Sequence, residues 1–190
     1  SNVLIQSSIN SFGSIAMAGS TASANVEGFV YNAMNAVYQT ALSFTSQNYG
    51  AGKMNRVTIG ITVMILLAVF LFLGYPLLNL DREEIVLPGV ISYGMMRMRI
   101  INGSYFLCGI MDTMVGGLRG LGYSVVPMLV SLTGACLFRV VWIFSVFAMH
   151  RTLTTLYISY PVSWIITFTA HIICYIVIRK RIAARRKPRD

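Results

Sequence analysis

Long apolar runs without a charged residue constrain this sequence more than any other feature. Val57–Leu80, Gly120–Phe138 and Thr152–Ile178 contain no Asp, Glu, Lys or Arg. A helix needs about 20 mostly apolar residues to cross the hydrocarbon core of a bilayer. Only helices and closed barrels satisfy their backbone hydrogen bonds in lipid. Because the runs are continuous and do not alternate with polar residues, they predict an all-α integral membrane protein and not a barrel.

Composition and charge agree with this fold class. Charged residues make up 11% of the 190 residues, whereas an average soluble domain has about 25%. The net charge of +9 would suggest nucleic acid in a soluble protein. Here the basic residues gather directly after the last apolar run, at Arg179, Lys180, Arg181, Arg185, Arg186, Lys187 and Arg189. This pattern is typical of a cytoplasmic tail, so we expect membrane lipid, and no nucleic acid, as a partner.

The sequence divides into three parts. Residues 1–13 are predicted to be the end of a truncated transmembrane helix, because they are helical in pattern and lack both an initiator Met and a signal-peptide pattern. Residues 14–178 are predicted to form a polytopic five-helix bundle, with spans at about 14–48, 57–80, 95–118, 124–149 and 156–178. Residues 179–190 form the basic tail, and Asp81–Glu84 is predicted to be a short loop.

The distribution of basic residues predicts the orientation of the bundle. Lys53, Arg56 and Arg119 lie in turns on the same side of the membrane as the tail. The opposite side holds fewer basic residues and also acidic ones: Arg82 and Arg151, with Arg97 and Arg99 near a span entry, and Asp81, Glu83 and Glu84. Cytoplasmic loops carry the excess of Lys and Arg. The chain is therefore predicted to be a multi-pass protein of the cell (inner) membrane with a cytoplasmic C-terminus.

Two glycine-rich turns carry a resemblance to a known family. The polar segment Ser14–Lys53 contains Gly28, Asn32, Asn35 and Gln39, and it ends in Gln47-Asn48-Tyr49-Gly50-Ala51-Gly52-Lys53. It resembles the second helix of a lobe in the multidrug and toxic compound extrusion (MATE) transporters, which closes on a glutamine–glycine turn. A second segment, Gly116-Gly117-Leu118-Arg119-Gly120-Leu121-Gly122, resembles the Leu-Arg-Gly turn after the fourth helix of their C-terminal lobe. The spacing of the five spans also fits that lobe.

The resemblance implies an architecture and an activity. MATE transporters have twelve helices in two lobes, so this chain would carry the end of helix 7 and helices 8 to 12, with the missing N-terminal lobe as its partner. The family exports small organic, often cationic compounds by alternating access, in exchange for Na⁺ or H⁺ and without another cofactor. The turn residues Gln47, Gly50, Arg119 and Gly120 are then structural or gating candidates.

Two carboxylates lie inside predicted spans, where a charge costs about 2.5–3.5 kcal/mol on insertion scales. Glu27 is interpreted either as a ligand for a cation or cationic drug in a central cavity, or as an interfacial carboxylate that water solvates. Asp112 is interpreted either as a cation-coupling residue or as a structural partner of a neighbouring helix. The resemblance favours coupling, because the family uses an acidic residue on this helix. Protonation or Na⁺ binding at either carboxylate would compete with a cationic substrate.

Other polar residues within the spans also have two interpretations. Asn32, Asn35 and Gln39 follow a spacing of i, i+3 and i+7 and therefore share one face of a helix. That face lines either a drug or ion pathway or an interhelical contact. Tyr31 and Tyr38 provide either aromatic surface for a cation or ordinary aromatic packing.

Arg139 lies in the middle of the fourth predicted span. It is predicted to be a structural residue that pairs with a carboxylate such as Glu27, or one whose side chain reaches the membrane interface. Helix counting does not place it level with Asp112.

The sequence is also compatible with two alternatives to efflux. A lipid-linked precursor flippase of a related fold would need a basic cavity, for which Arg97, Arg99 and Arg139 are candidates. An incomplete, non-transporting membrane bundle is the second alternative. No enzyme activity and no metal site are predicted, since the sequence has no His-Glu-x-x-His, Gly-x-Ser-x-Gly, phosphate-loop or Cys/His pattern.

Overall fold

The computed structural model describes the backbone of residues 2–79 and 89–185, and the side chains of these residues except 71–79. Every regular element in this part of the chain is helical: α1 (Asn2–Asn10), α2 (Ser14–Gly50), α3 (Met54–Asn79), α4 (Val90–Gly103), α5 (Tyr105–Gly120), α6 (Val125–Ser131), α7 (Phe138–Trp142) and α8 (Leu153–Arg185). The predicted loop Asp81–Glu84 and the tail residues 186–190 lie outside the described residues.

Among the residues that the structure describes, two continuous helices are long and apolar enough to cross a membrane. They are Val125–Phe147 and Leu153–Arg185, and the shorter segment Met54–Phe70 is apolar as well. The first of the two contains two π-helical segments, Leu132–Leu137 and Ile143–Phe147, which flank α7. These elements agree with the predicted all-α class.

The structure differs from the predicted spans at two places. The predicted span 95–118 is divided into α4 and α5 at Ser104, and the predicted tail is helical as far as Arg185. In the tail, Ile182 is buried in a cluster with Val57 and Leu121. The end of α8 is therefore packed against the bundle and does not simply extend from it.

The break between α4 and α5 follows from Gly103-Ser104. Ser104 adopts φ −108° and ψ 7°, outside the helical region. Its hydroxyl donates to the carbonyl oxygen of Ile100 (2.6 Å), whose usual backbone donor, the Ser104 N–H, reaches the Ile101 carbonyl instead (3.1 Å). A non-helical residue is tolerated at membrane depth where it is surrounded by protein, and local side-chain hydrogen bonds stabilise it.

Helix α2 is the central helix of the bundle and packs against α3, α4 and α5. Its crossing with α4 is close, because a Cβ added at Gly19 would lie 2.9 Å from the backbone nitrogen of Gly94. Its crossing with α5 involves Gly116 and Gly120. A Cβ added at Gly116 would lie 2.8 Å from the Tyr38 carbonyl oxygen. Small residues thus allow these helix backbones to approach, as is usual inside membranes.

The two turns singled out in the sequence have the same backbone geometry. After α2, Lys53 N–H donates to the Asn48 carbonyl (2.8 Å), and Gly52 has φ +73°. After α5, Tyr123 N–H donates to the Leu118 carbonyl (3.1 Å), and Gly122 has φ +89°. Both are Schellman motifs, in which a left-handed residue closes the helix. The glycines that are required for their conformation are therefore Gly52 and Gly122.

A matched pair of substitutions tests this assignment in the first turn. Gly52→Ala is expected to lower the free energy of unfolding by about 1–2 kcal/mol, because alanine disfavours a positive φ. Gly50→Ala, at the last residue of α2 with open space around it, should be neutral or slightly stabilising. Denaturant unfolding of the purified full-length protein measures both. Equal effects of the two substitutions would contradict the assignment.

Candidate functional site

A buried ion pair joins α2 to α4. Arg97 Nε donates to Glu27 Oε1 (2.7 Å), and Arg97 Nη2 donates to Glu27 Oε2 (2.8 Å). The two side chains form a bidentate pair, the strongest geometry between these groups. Glu27 and Arg97 are only 7% and 8% exposed. The interpretation of Glu27 as a water-solvated carboxylate is therefore wrong, because its charge is compensated inside the protein.

Hydroxyl groups and an aromatic ring complete the surroundings of this pair. Arg97 Nη1 donates to Ser20 Oγ (2.6 Å), and Ser23 Oγ donates to Glu27 Oε1 (3.3 Å). The guanidinium carbon of Arg97 lies 5.9 Å from the ring centre of Tyr157 on α8. Ser20, Ser23 and Glu27 lie on one face of α2 because they are three and four residues apart. That spacing is a sequence pattern that could have shown these three polar residues to share one face.

Asp112 differs from Glu27 in having no cationic partner among the described residues. It lies on α5 and is half-buried, next to the fully buried Thr113. No cationic side chain among the described residues lies within ion-pair distance of its carboxylate. Of the two intramembrane carboxylates in this part of the chain, Asp112 is thus the one without a compensating charge.

Arg139 does not pair with Glu27, contrary to one of the predicted arrangements, because Arg97 already occupies that carboxylate. Its Nε donates to Ser163 Oγ on α8 (2.9 Å). Its guanidinium carbon lies 4.1 Å from the ring centre of Tyr160 and 5.8 Å from that of Trp164. Arg139 is 7% exposed, so it does not reach the interface either.

The polar stripe of α2 lies on a face that the described part of the bundle leaves uncovered. Asn32, Asn35 and Gln39 are all exposed, as is the Tyr31 side chain at 57%. The same face continues in both directions with further exposed polar residues: Thr21, Asn25, Ser43, Ser46 and Gln47. In lipid such a face must contact protein or water. The stripe is therefore longer than the three residues recognised in the sequence.

The remaining turn residues have structural contacts. Arg119 Nη1 donates to the Tyr38 hydroxyl (2.8 Å), which ties the end of α5 to α2. A Cβ added at Gly120 would lie 2.8 Å from the Leu42 carbonyl oxygen, so this position also belongs to the helix crossing. Gln47 Nε2 donates to Ser43 Oγ (3.3 Å) within the exposed face of α2. Tyr38 thus takes part in a helix contact, unlike the open Tyr31.

Sequence reasoning missed the buried polar stripe of α8. Ser159, Ser163, Thr167 and His171 are spaced four residues apart and are fully buried. Ser163 holds Arg139, and His171 Nε2 lies 3.3 Å from the Pro127 carbonyl oxygen. The regular spacing of four was a usable pattern, because polar residues at that interval share one face of a helix.

The comparison with known families gives one match. The family model described as MatE matches residues 1–145, more than half of the chain. No curated protein and no solved structure matches this chain.

Proposed function

Since the chain belongs to the MATE family of membrane transporters, we propose that it takes part in secondary active efflux of small organic, often cationic compounds. The driving force is exchange for Na⁺ or H⁺. The lobe described here works with a second lobe, and substrate binds between them near the middle of the membrane during alternating access. The proposed location is the cell membrane with a cytoplasmic C-terminus, which the basic residues around Lys53, Arg56 and α8 support.

The observation that carries this proposal is the uncompensated carboxylate of Asp112. An ionisable residue inside a membrane is costly and is retained mainly where it has a function. The Glu27 carboxylate is already paired with Arg97 inside the protein, so its charge is not available to bind a transported cation. Asp112 has no such partner among the described residues. We therefore assign the coupling role to Asp112 and a structural role to Glu27.

The exposed polar face of α2 supports a pathway along this helix. Asn32, Asn35 and Gln39 lie on this face without covering side chains in the described bundle. A second lobe with a water-filled cleft between the two would satisfy these amide groups. Tyr31, which is also exposed, offers aromatic surface to a cationic substrate.

The flippase alternative has less support. It requires a cavity with a strongly basic lining, but the charge of Arg97 is compensated by Glu27. Arg139 is held against aromatic rings in the bundle interior, and Arg99 is exposed at a different position on α4. These three arginines therefore do not form one basic cluster.

Gradient-driven dye efflux tests the coupling role. In cells that produce the full-length protein, the Na⁺ and H⁺ gradients are collapsed separately. Efflux of a fluorescent organic cation is expected to stop when one gradient is collapsed and to continue when the other is, and the gradient that is required identifies the coupling ion. Asp112→Asn should lower the gradient-dependent rate by about tenfold or more, because the carboxylate that exchanges cation for substrate is lost. Asp112→Glu is the matched control and should retain a measurable part of the rate.

Unchanged efflux in Asp112→Asn, with the variant present in the membrane at the wild-type level, would refute the assignment. Absence of gradient-dependent efflux in the wild type would refute the transport proposal itself.

A further inference from the structure

Two cavities on the outside of the bundle meet at the start of α3. The first has a volume of about 420 Å³ and is lined by Gly52, Lys53, Met54, Asn55 and Arg56. The second, of about 270 Å³, is lined by Phe44 of α2 and by Arg56, Ile59, Gly60, Val63 and Met64 of α3. Arg56 belongs to both linings, so the two cavities are neighbours. The proposed efflux function uses neither of them.

The first cavity is basic. Lys53 and Arg56 are both exposed, and neither forms an ion pair with a carboxylate of the described residues. The carboxylates in this part of the chain, Glu27 and Asp112, lie further along α2 and α5 and not at this turn. The two positive charges beside the first cavity are therefore available to an anion from outside the bundle.

The start of α3 adjoins the end of α8, which is a second basic segment. Val57 and Ile182 are buried in the same cluster, so these two helix ends lie together. The end of α8 carries four exposed basic residues: Arg179, Lys180, Arg181 and Arg185. Each Lys or Arg close to a membrane surface strengthens the attraction to anionic lipid by about fivefold. This end of the bundle thus attracts anions as a whole, and the cavity lies within it.

The second cavity is an apolar groove along the outside of α3. It starts beside the basic cavity and follows the apolar segment Met54–Phe70. Ile59 and Val63 are exposed along it. A Cβ added at Gly60 would overlap the Phe44 ring, so glycine allows this ring to lie directly against α3 as one wall of the groove. An alkyl chain that covers these apolar side chains gains free energy in proportion to the area covered.

We infer that the two cavities together bind one anionic phospholipid. Its phosphate lies between Lys53 and Arg56, and an acyl chain follows the groove along Ile59 and Val63. Basic pockets between membrane helices bind anionic headgroups in this way. The planar guanidinium of Arg56 also suits a phosphate, because it can donate two parallel hydrogen bonds.

The combination of the two cavities selects this ligand over its closest competitors. A free phosphate would occupy only the basic cavity and leave the groove uncovered. A zwitterionic phospholipid would fill the groove but would bring a cation of its own next to Lys53 and Arg56. Binding of an anionic lipid at this place is a property of the folded bundle and does not require transport.

Native mass spectrometry of the purified full-length protein in detergent tests the assignment by counting bound lipids. The protein is titrated separately with dioleoyl phosphatidylglycerol and dioleoyl phosphatidylcholine, which have the same acyl chains. Arg56→Gln should raise the phosphatidylglycerol concentration needed to retain one of the bound lipids about fivefold. The double variant Lys53→Gln/Arg56→Gln should carry one phosphatidylglycerol fewer than the wild type, with an unchanged number of phosphatidylcholines.

Three further variants make the test specific to the two cavities. Arg181→Gln removes a positive charge from the same end of the bundle without altering either lining, and should retain the lipid. Ile59→Trp fills the groove and should lose it. Val141→Trp adds a similar bulk at an exposed position on α7 and should retain it.

Three results would overturn the lipid assignment. The first is a double variant that retains the wild-type number of phosphatidylglycerols. The second is loss of the same lipid in Arg181→Gln, which would mean that the overall charge of the surface, and not the cavity, holds it. The third is displacement of the lipid by millimolar glycerophosphoglycerol, the headgroup without its chains, which would mean that the groove contributes nothing.

Discussion

Loss of either member of the Glu27–Arg97 pair is expected to lower the free energy of unfolding by about 3–5 kcal/mol, because it leaves the other charge buried without a partner. Glu27→Leu would strand the Arg97 guanidinium, and Arg97→Met would strand the Glu27 carboxylate. The double variant Glu27→Leu/Arg97→Met removes both charges and should lie within about 1–2 kcal/mol of the wild type, since apolar replacements of a buried pair are often tolerated.

The measurement is unfolding of the purified full-length protein by sodium dodecyl sulfate in mixed micelles. Arg151→Met is the matched control, because it removes an exposed arginine. A double variant as unstable as the single ones would show that the serine contacts, and not the charge pairing, determine stability. Gradient-driven efflux by a folded double variant would in addition exclude Glu27 as the coupling carboxylate.

The second large effect is expected at the crossing of α2 and α5. Gly116→Ala should lower the free energy of unfolding by about 1–3 kcal/mol, because the added methyl group would lie 2.8 Å from the Tyr38 carbonyl oxygen and 3.1 Å from the Ala41 Cβ. The Tyr38 carbonyl belongs to the backbone of α2 and the Ala41 Cβ is attached directly to it, so neither can move aside alone. The two helices must therefore separate.

Gly28→Ala is the matched control for this prediction. The same substitution in α2 meets no atom within 4 Å, and alanine is the better helix former by about 0.5–1 kcal/mol. The two variants should thus change stability in opposite directions in the same unfolding measurement. A shift in the same direction for both would mean that helix propensity, and not the close approach, dominates at Gly116.

Helix α2 shows what the sequence could predict and what it could not. The spacing of Asn32, Asn35 and Gln39 was sufficient to place them on one face, since that depends only on helical periodicity. The partner of Glu27 was not predictable in this way. Arg97 lies 70 residues from Glu27 in the sequence. Its position along the membrane normal also depends on the break at Ser104, because α4 does not continue the axis of α5 as one unbroken helix would.

The two glycine turns illustrate the same difference on a smaller scale. The motifs placed both turns correctly along the chain, because a left-handed glycine after a helix is a local property. They did not distinguish Gly50 from Gly52, although the structure requires a positive φ only at the second. The closeness of Gly116 to α2 depends on the crossing of two helices, which local patterns do not determine.

Compensation of Glu27 by Arg97 also has an electrical consequence. A single elementary charge that moves through the full membrane field gains or loses about 2.3 kcal/mol for each 100 mV. Glu27 and Arg97 are held together at 2.7 Å and have no net charge, so the membrane voltage does almost no work on them when the lobe moves. Among the intramembrane charges of the described residues, the voltage therefore acts mainly on Asp112 and Arg139. The membrane field therefore acts on this part of the lobe through those two side chains and not through the buried pair.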